Sequence, residues 1–584
     1  MTVYKNLLES NSLELIRVKK QIRLLTFLRL VVFVTFSLFA YFSWGNTPIF
    51  ISSIFLGIAI FLITIRYWVD VNLKFEKIKQ KIHFLNLELE ITETNKGLFD
   101  SGKEFSNSKH AFSNDLDLFA EHGIFAYINR TTSFLGKKIL AEILLEGNNK
   151  REKTNQQIEF LSHEIEWTID FRVAGAISSR EKAYNKEISN FAKLDFKNPK
   201  ILQVLRFLIP IISISALILN SFELISSSLL GIALTACILP TGILLKQTNL
   251  WASTISEYEA KINTLLDQLV LLKKLSSEEA KTMLDLNEFH SIENEFKQWK
   301  TLSKRFDLRM NIVVSIPLNL FFAWDIQQRI SLENWTKKNS KNLSEWENKL
   351  AYLEVLISGA TLRYNNQNET IFAEILKYKK SYETKNMAHP LIPSKKRISN
   401  DFVLKEEENF YILTGPNMAG KSTYLRSLGT NIVFANAGFP VFAQTFSIPE
   451  IKLFSSMRTS DDLSNESSYF HAELTRLKQM KDVLIENKNL FVLLDEILKG
   501  TNSKDKEEGS KKFLQKMKNL GAKGIIATHD LSLCTLSNEN ESFTNFYFDS
   551  TIADNELSFD YKLKKGICQN MNASFLLKKM ELID

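Results

Sequence analysis

Residues 410–423 read Phe-Tyr-Ile-Leu-Thr-Gly-Pro-Asn-Met-Ala-Gly-Lys-Ser-Thr, an apolar run followed at once by the spacing Gly-x-x-x-x-Gly-Lys-Ser. This spacing after a strand predicts a phosphate-binding loop, because glycines let successive backbone N–H groups point inward at a phosphate. We expect the Lys421 ammonium to reach the β- and γ-phosphates of ATP and the Ser422 hydroxyl to bind Mg²⁺. The helix that follows adds the positive end of its dipole. The predicted ATP contacts are Gly415, Pro416, Asn417, Met418, Ala419, Gly420, Lys421, Ser422 and Thr423.

Two further apolar runs end in side chains that suit phosphate chemistry. Residues 490–494 are followed by Asp495 and Glu496, and residues 524–527 are followed by Thr528 and His529. We expect Asp495 to be the second Mg²⁺ ligand and Glu496 to polarise the attacking water as a general base. His529 is expected to contact the γ-phosphate. The alternatives are an acidic turn after a strand and a histidine with a structural role. The predicted catalytic residues are therefore Glu496, His529 and Lys421.

The periodicity of the chain changes near residue 387. After this point short apolar runs, at 410–413, 490–494, 524–527 and 546–548, alternate with helical patterns. Such alternation predicts an α/β domain with a mostly parallel sheet and helices on both faces. Residues 70–200 and 246–385 instead have apolar residues at three-to-four spacing, including a long amphipathic stretch at 251–275. They predict an all-α domain.

Composition restricts the class of protein. With 584 residues the chain is expected to form two to four domains. Its 73 basic and 66 acidic residues give a net charge of +7, which favours a solubilised surface with basic membrane flanks over a nucleic-acid patch. Three distant cysteines form no metal pattern and suit a reducing compartment. No cleavable signal peptide is expected, because the first apolar stretch is followed by a second one.

Four apolar runs occur as two pairs. Residues 24–44 and 48–65 are joined by a short uncharged turn, and residues 207–219 and 225–245 by a second turn at 220–223. The first two runs have about the length that a membrane-spanning helix needs, and the second pair follows the same logic if its first helix begins near Ile201. Lysine and arginine flank the outer ends of each pair, so we expect two hairpins in a bacterial-type cell membrane, with the turns outside and the soluble domains cytoplasmic. The alternative is buried core helices.

A fifth apolar run covers residues 310–324. It is shorter than the other four and contains Asn311, Pro317 and Asn319, and Asp325 follows it directly. We interpret it as a buried helix of a soluble domain, with a fifth membrane segment as the alternative.

Several segments resemble the ATPase domain of the MutS family, the DNA mismatch-recognition ATPases of the ABC type. They occur in the family's order within a predicted domain of roughly 200 residues, and one departure is that Leu498-Lys499 stands where the family usually has Gly-Arg. The segments are 414–426, 437–443 (Ala-Gly-Phe-Pro-Val-Phe-Ala), 460–463 (Ser-Asp-Asp-Leu), the signature-like 468–474 (Ser-Tyr-Phe-His-Ala-Glu-Leu) and 495–502 (Asp-Glu-Ile-Leu-Lys-Gly-Thr-Asn).

The resemblance continues more weakly upstream. Residues 115–119, 129–131 with Gly136, and 350–358 are similar to the family's helical core, and residues 387–391 to the segment before its ATPase domain. The resemblance implies a homodimer in which Ser468 of one protomer contacts the ATP of the other. It also implies ATP and Mg²⁺ as cofactors.

The parts by which the family reads DNA are not recognisable in the sequence. Mismatch readers insert a Phe-x-Glu wedge, but Phe119-Ala120-Glu121 and Phe372-Ala373-Glu374 lie in core-like, helical context. The second apolar pair occupies the interval where the family has its levers and DNA clamp. Any DNA binding should therefore depend on phosphate contacts and show little mismatch selectivity.

The sequence thus predicts a multidomain, membrane-anchored MutS-like ATPase that couples ATP hydrolysis in a dimer to movement of its helical core. The alternatives are a transporter-like ABC ATPase and a nucleotide-dependent membrane scaffold. Residues 464–474 lack the Leu-Ser-Gly-Gly-Gln type of signature, which disfavours a transporter. The predicted segments are 1–24 (N-terminal helix), 25–66 (first hairpin), 67–200 (helical core), 201–246 (second hairpin), 247–385 (lever and core) and 386–584 (ATPase domain with a C-terminal dimerisation segment).

Overall fold

The computed structural model describes residues 2–178, 188–192, 196–275, 277–458, 469–487, 489–553, 556–569 and 581–582. The first part of the chain is helical, as its periodicity predicts. Its helices are α1 (Thr2–Phe42), α2 (Thr47–Thr94), α3 (Ile124–Ile128), α4 (Phe134–Glu146), α5 (Arg151–His163), α6 (Ile165–Ser178), α7 (Ile188–Ala192), α8 (Leu202–Ser221), α9 (Ser227–Leu272), α10 (Glu278–Met283), α11 (Asn287–Asp307), α12 (Ile312–Phe322) and α13 (Trp324–Asn365).

The predicted apolar pairs form two helical hairpins, α1–α2 and α8–α9. Asn46 caps α2 by accepting from the backbone N–H of Ile49, and Ser226 caps α9 by accepting from that of Leu229. The apolar runs are parts of longer helices, so α1, α2 and α9 continue past residues 24, 66 and 246 without a break. These four helices are long and apolar enough to cross a membrane, by length and composition. Many of their large apolar side chains face outward, among them Phe27, Phe33, Phe55, Ile211, Ile232 and Ile243.

Helix α12 corrects the interpretation of residues 310–324. The segment is helical but it is not buried: Met310 is 80% and Val313 78% exposed, and Ile316 and Phe322 are about half exposed. The proline and asparagines that suggested a soluble core helix have a local role instead. The Asn311 side chain caps the helix N-terminus through the N–H of Val313.

Helix α13 is the central element of the helical part. Its buried carboxylates each bind another helix: Glu354 accepts hydrogen bonds from the backbone N–H and hydroxyl of Ser133, at 3.1 and 2.6 Å, where α4 begins. Two helical turns earlier, Glu347 forms a buried ion pair with Lys261 of α9. It also accepts a hydrogen bond from the backbone N–H of Ile188, at the start of α7. Because a buried carboxylate needs partners, these contacts specify the packing of three helices.

A buried ion cluster connects α2, α6 and the end of α13. Glu88 is fully buried and accepts two hydrogen bonds from Arg130, at 2.7 and 2.8 Å, and one from Arg172 at 2.6 Å. Asn365 donates to the same carboxylate at 3.2 Å. Burial raises the pKa of Glu88, but the two guanidiniums outweigh it and hold the pKa below its ordinary value. The carboxylate is therefore charged at neutral pH.

The C-terminal part contains β-sheets and four further helices. Its strands are β1 (Thr370–Ile371), β2 (Glu374–Leu376), β3 (Tyr382–Met387), β4 (Asn400–Leu404), β5 (Phe410–Thr414), β6 (Val441–Phe442), β7 (Thr445–Pro449), β8 (Lys452–Ser456), β9 (Leu490–Asp495), β10 (Lys523–Ala527), β11 (Phe543–Tyr547), β12 (Thr551–Ala553), β13 (Glu556–Ser558) and β14 (Lys564–Lys565). Its helices are α14 (Lys421–Ala437), α15 (Tyr469–Glu486), α16 (Ser503–Asn519) and α17 (Leu536–Glu539).

The main sheet has the order β14-β11-β5-β10-β9-β8, and its neighbours are parallel except for the pair β11–β14. Alternate residues of β5 face opposite cores: Tyr411 and Leu413 pack with α14, whereas Phe410 and Ile412 pack with α15 and α16. The predicted mostly parallel sheet with helices on both faces is thus present. The predicted strand at 546–548 begins three residues earlier, at Phe543.

Neither Phe-Ala-Glu tripeptide is in the helical context that the sequence suggested. Residues 119–121 lie in turns, with Phe119 buried, and residues 372–374 lie at the start of β2. Both tripeptides belong to the folded body of the protein, so neither one projects as a wedge.

The ion cluster leads to a prediction about stability. Glu88→Gln leaves two buried guanidiniums without a compensating charge, so we expect unfolding to become easier by about 3–5 kcal/mol. Urea unfolding of the detergent-solubilised protein, followed by circular dichroism, measures this change. Glu508→Gln, which removes an exposed partner of Lys512, is the matched control and should leave the transition in place. Equal midpoints for the two variants would contradict the assignment.

Candidate functional site

A cavity of about 760 Å³ lies where β5, β9 and β10 end. It is lined by most of the residues that the sequence nominated, and its volume suits a small-molecule ligand. Parallel strands bring their carboxyl ends to the same edge, which is why motifs more than 100 residues apart in sequence meet here. The predicted site residues that line it are Pro416, Asn417, Met418, Gly420, Lys421, Ser422, Thr423, Asp495, Glu496 and His529. Gly415 and the buried Ala419 complete the loop.

The loop between β5 and α14 requires two of its glycines. Gly415 has a φ of +142°, and a Cβ there would lie 2.6 Å from the carbonyl oxygen of Phe548. Gly420 has a φ of +104° and immediately precedes α14. Both conformations favour glycine. They place the Lys421 ammonium over the loop, where it donates to the carbonyls of Gly415 and Pro416 at 2.8 and 3.0 Å.

Two oxygen-bearing side chains meet at the end of β9. The hydroxyl of Ser422 donates to the Asp495 carboxylate at 2.5 Å. Hydroxyl and carboxylate oxygens are the ligands that Mg²⁺ prefers, and Mg²⁺ keeps several waters or phosphate oxygens besides. The described residues hold no cluster of three or more His, Cys, Asp or Glu side chains that suits a metal ion. This pair therefore fits a cation bound together with phosphate.

Glu496, His529 and Lys421 form a compact charged group. His529 Nε2 lies 3.1 Å from both the Lys421 ammonium and a carboxylate oxygen of Glu496. Burial and then the charge of Lys421 lower the pKa of His529, and Glu496 opposes this only in part. The imidazole is therefore neutral at pH 7, and one nitrogen cannot both accept from the ammonium and donate to the carboxylate. Lys499 adds an ion pair to Glu496 at 3.4 Å.

The turn after the two carboxylates places a leucine in a conformation that favours glycine. Leu498 has a φ of +59°, in the left-handed region that favours glycine. Glu473 of α15 holds the turn by accepting from the backbone N–H groups of Leu498 and Lys499, at 2.6 and 3.1 Å. The Leu498 side chain is buried beneath α15 and α16. Packing and these hydrogen bonds therefore offset the backbone strain.

The helical part reaches the same sheet through the loop before α3. Asp115 accepts from the Ser455 hydroxyl at 2.6 Å and from the Arg458 N–H at 2.9 Å, next to the end of β8. Arg476 of α15 donates to the carbonyls of His110 and Ala111, at 2.9 and 2.7 Å. The segment 115–119 that the sequence singled out is thus a contact between the two parts of the protein.

Some predicted residues are not placed, and some cavity residues were not predicted. Ser468 and the segment 460–463 lie outside the described residues, as does most of the predicted dimerisation segment. One wall of the cavity comes from residues without a recognisable spacing, and only the segment 387–391 gave a signal. This wall contains Met387, His389, Ile392, Ile398, Phe548 and Tyr561. Burial, with the charges of Arg426 and Arg397, lowers the pKa of His389 to about 4, so it too is neutral at pH 7.

The arrangement combines backbone N–H groups at a helix N-terminus, a lysine and paired oxygen ligands, which is the chemistry of a site for a phosphorylated ligand with a cation. Residues 411–581 match the family model described as MutS domain V. Residues 411–581 are therefore similar to domain V of the MutS family.

Its relatives match only in part. The DNA mismatch repair protein MutS of Fusobacterium nucleatum subsp. nucleatum is 36% identical over 190 residues, which are 32% of this chain and 21% of that protein. MutS protein homolog 4 of Homo sapiens is 32% identical over 198 residues, 32% of this chain and 20% of that protein. The MutS of Bacillus cytotoxicus is 25% identical over 322 residues, 54% and 34% respectively. The chain thus spans about a fifth to a third of these relatives.

The site leads to a prediction about ligand affinity. Lys421→Ala removes the cation above the loop, so we expect affinity for a non-hydrolysable ATP analogue to fall roughly tenfold to a hundredfold, as for a lost charged hydrogen bond. Burial lowers the pKa of Lys421. The Lys421 ammonium should therefore lose its proton at a lower pH than an exposed lysine does, and the affinity of the wild type should weaken from that lower pH upward. Calorimetric titration measures both effects. Lys512→Ala, an exposed lysine on α16, is the control, and equal affinities would contradict the role of Lys421.

Proposed function

We propose that this chain is a membrane-anchored, MutS-like ATPase that binds ATP with Mg²⁺ in the cavity, hydrolyses it, and couples the cycle to its helical part. MutS proteins are ATPases, which supports the general activity. The observation that carries the proposal is the convergence of Lys421, the pair Ser422–Asp495, and Glu496 with His529 in one cavity. The intact lysine and carboxylates favour hydrolysis over a scaffold that only binds nucleotide.

Each residue has a defined task in this proposal. Phosphate oxygens replace the carbonyls of Gly415 and Pro416 as partners of the Lys421 ammonium. Ser422 and Asp495 would hold Mg²⁺, which would supply positive charge against the phosphates. Glu496 accepts a proton from the attacking water, and neutral His529 donates toward the γ-phosphate. The wall around Met387 and Ile398 accommodates the flat base.

Dimerisation would complete the site. By resemblance, Ser468 of one protomer contacts the γ-phosphate bound by the other, and it directly precedes α15. Residues of α15 already hold the two structures that must respond: Glu473 binds the turn after Glu496, and Arg476 binds the loop of the helical part. A shift of α15 on ATP binding would therefore reach both the catalytic turn and the helices.

The anchor in this proposal consists of the hairpins α1–α2 and α8–α9. Support comes from their length, their apolar composition and the outward-facing large apolar side chains. With lysine and arginine at the outer ends, the positive-inside rule places the helical and C-terminal parts in the cytoplasm.

DNA binding is a second candidate activity, favoured by the relatives whose names describe DNA mismatch repair. Those relatives are matched over a minor part of their length, and neither Phe-Ala-Glu tripeptide of this chain projects from the fold. DNA binding would therefore rest on phosphate contacts, fall steeply with salt and discriminate poorly between matched and mismatched duplex.

The variant Glu496→Gln should lose most ATP hydrolysis but keep ATP binding. This variant keeps the cation and the phosphate contacts but loses the proton acceptor, so we expect ATP binding to persist while hydrolysis slows roughly 10²–10⁴-fold. An ATP-dependent dimer should then accumulate, as light scattering of the detergent-purified protein would show. The same assay, run with homoduplex, mismatched and branched DNA, tests the second candidate activity. Mismatch selectivity above roughly tenfold, about 1.4 kcal/mol, would reveal a reading element that the fold does not suggest.

Mixed variants test the shared site. Combining Ser468→Arg with Lys421→Ala protomers leaves at most one working composite site per dimer, so activity should be at most about half that of the wild type. Unchanged turnover in Glu496→Gln, or full activity in a protomer that stays monomeric throughout the cycle, would exclude this mechanism.

The proposed topology predicts which residues an impermeant thiol reagent reaches in intact cells. Cysteines introduced as Asn46→Cys and Ser221→Cys lie in exposed turns and should react. The native Cys534 and Cys568 are buried, so their silence would carry no information. The exposed position of Lys512→Cys is a better control, because it should react only after lysis. Labelling at this position in intact cells would refute the topology.

A further inference from the structure

Helix α12 exposes an apolar face that the ATPase proposal does not use. Residues 310–324 contain no charged side chain. Val313 and Met310 are almost fully exposed, and Ile316, Pro317 and Phe322 also face outward. The helix has 11 residues and a length of about 16 Å, which is too short to cross a bilayer.

The other side of α12 packs on the base of the second hairpin. Leu320 and Ala323, at its C-terminal end, pack in an apolar cluster with residues of α8, α9 and α13. Next to this cluster, the outer faces of α8 and α9 are also apolar and exposed. The exposed side chains there include Ile201, Val204, Leu208, Ile243 and Leu245. The apolar surface of α12 therefore continues that of the hairpin.

Both ends of α12 are fixed to the helical part. Arg309, before it, forms a buried ion pair with Asp325, after it, at 3.1 Å, and donates to Asn249 of α9 at 2.5 Å. The Trp324 indole N–H donates to the carbonyl of Arg305 at 3.1 Å. Helix α12 is therefore held in a defined position between α11 and α13. Exposed cationic side chains are close to these contacts in sequence: Lys246 follows Leu244 of the apolar cluster, and Lys304 and Arg305 precede Arg309.

We propose that α12 lies in the cytoplasmic headgroup region of the bilayer that the second hairpin crosses, and so forms a third, shallow membrane contact. The inference rests on the proposed anchoring. Its occupant is lipid because the apolar face continues the outer surface of the hairpin, and because flanking cations match anionic headgroups. This contact would tie α11 and α13 directly to the membrane surface.

Depth-resolved fluorescence quenching tests the proposal on the full chain. An environment-sensitive fluorophore is attached at Ile316→Cys, and in a second variant at Val313→Cys. The protein is reconstituted in vesicles of phosphatidylcholine with a minority of phosphatidylglycerol. Nitroxides are placed on the lipid near the glycerol end or near the methyl end of the acyl chain. An interfacial helix lies about 5–10 Å deep, so we expect the shallow nitroxide to cause a roughly twofold greater loss of fluorescence than the deep one.

Two control positions separate this inference from the anchoring itself. Ile211→Cys, exposed near the middle of α8, should be quenched more by the deep nitroxide, and Gln298→Cys, exposed on α11, by neither. If Ile211 is quenched while Ile316 and Val313 behave like Gln298, the inference is overturned and the anchor stands. If Ile211 is not quenched, both proposals fail. Shielding of Ile316 from aqueous iodide without lipid quenching would indicate a second copy or another protein on α12, and would also overturn the inference.

Discussion

The architecture depends on the burial of charge along one helix. Helix α13 has 42 residues, a length of about 63 Å, and contacts α3 to α9 as well as α11 and α12. Buried carboxylates at Glu347 and Glu354 have a high desolvation cost unless each finds donors, and the donors come from α4, α7 and α9. Apolar packing alone would tolerate small shifts of these helices, whereas the carboxylates specify their register.

The same constraint applies at the two ends of α13. At one end Asn365 joins the cluster of Glu88, Arg130 and Arg172, and at the other Asp325 pairs with Arg309. The helix therefore connects the cluster around Glu88 with the region of α12 as a single continuous element. Its ends are held by charge, and charge-assisted hydrogen bonds are directional.

In the site, the charges are balanced among the protein's own groups. Lys421 is bound to loop carbonyls, Ser422 to Asp495, and Glu496 to Lys499 and His529. Each of these contacts is one that phosphate, a cation or water can replace.

The residues that the sequence nominates lie together in one cavity, and they follow short spacings that backbone geometry enforces. The glycines flanking the loop, the strand that ends at Asp495 and the strand before His529 are all local signals. The prediction that residues 310–324 form a buried helix is wrong, because Asn311 caps a helix whose large apolar side chains face outward. The sequence does not predict the cavity wall from Met387 to Ile398 or the partners of Glu88. Both depend on contacts between segments that are far apart in sequence.

The first turn of the chain also has a distant partner. Tyr4 is fully buried, and its hydroxyl donates to Asn365 at 2.7 Å, so the start of α1 packs against the end of α13. During synthesis the N-terminal residues emerge first, and Asn365 is added only after all four long apolar helices have been made. The helical part therefore cannot close until those helices have left the ribosome. That closure joins residues separated by 361 positions in the sequence.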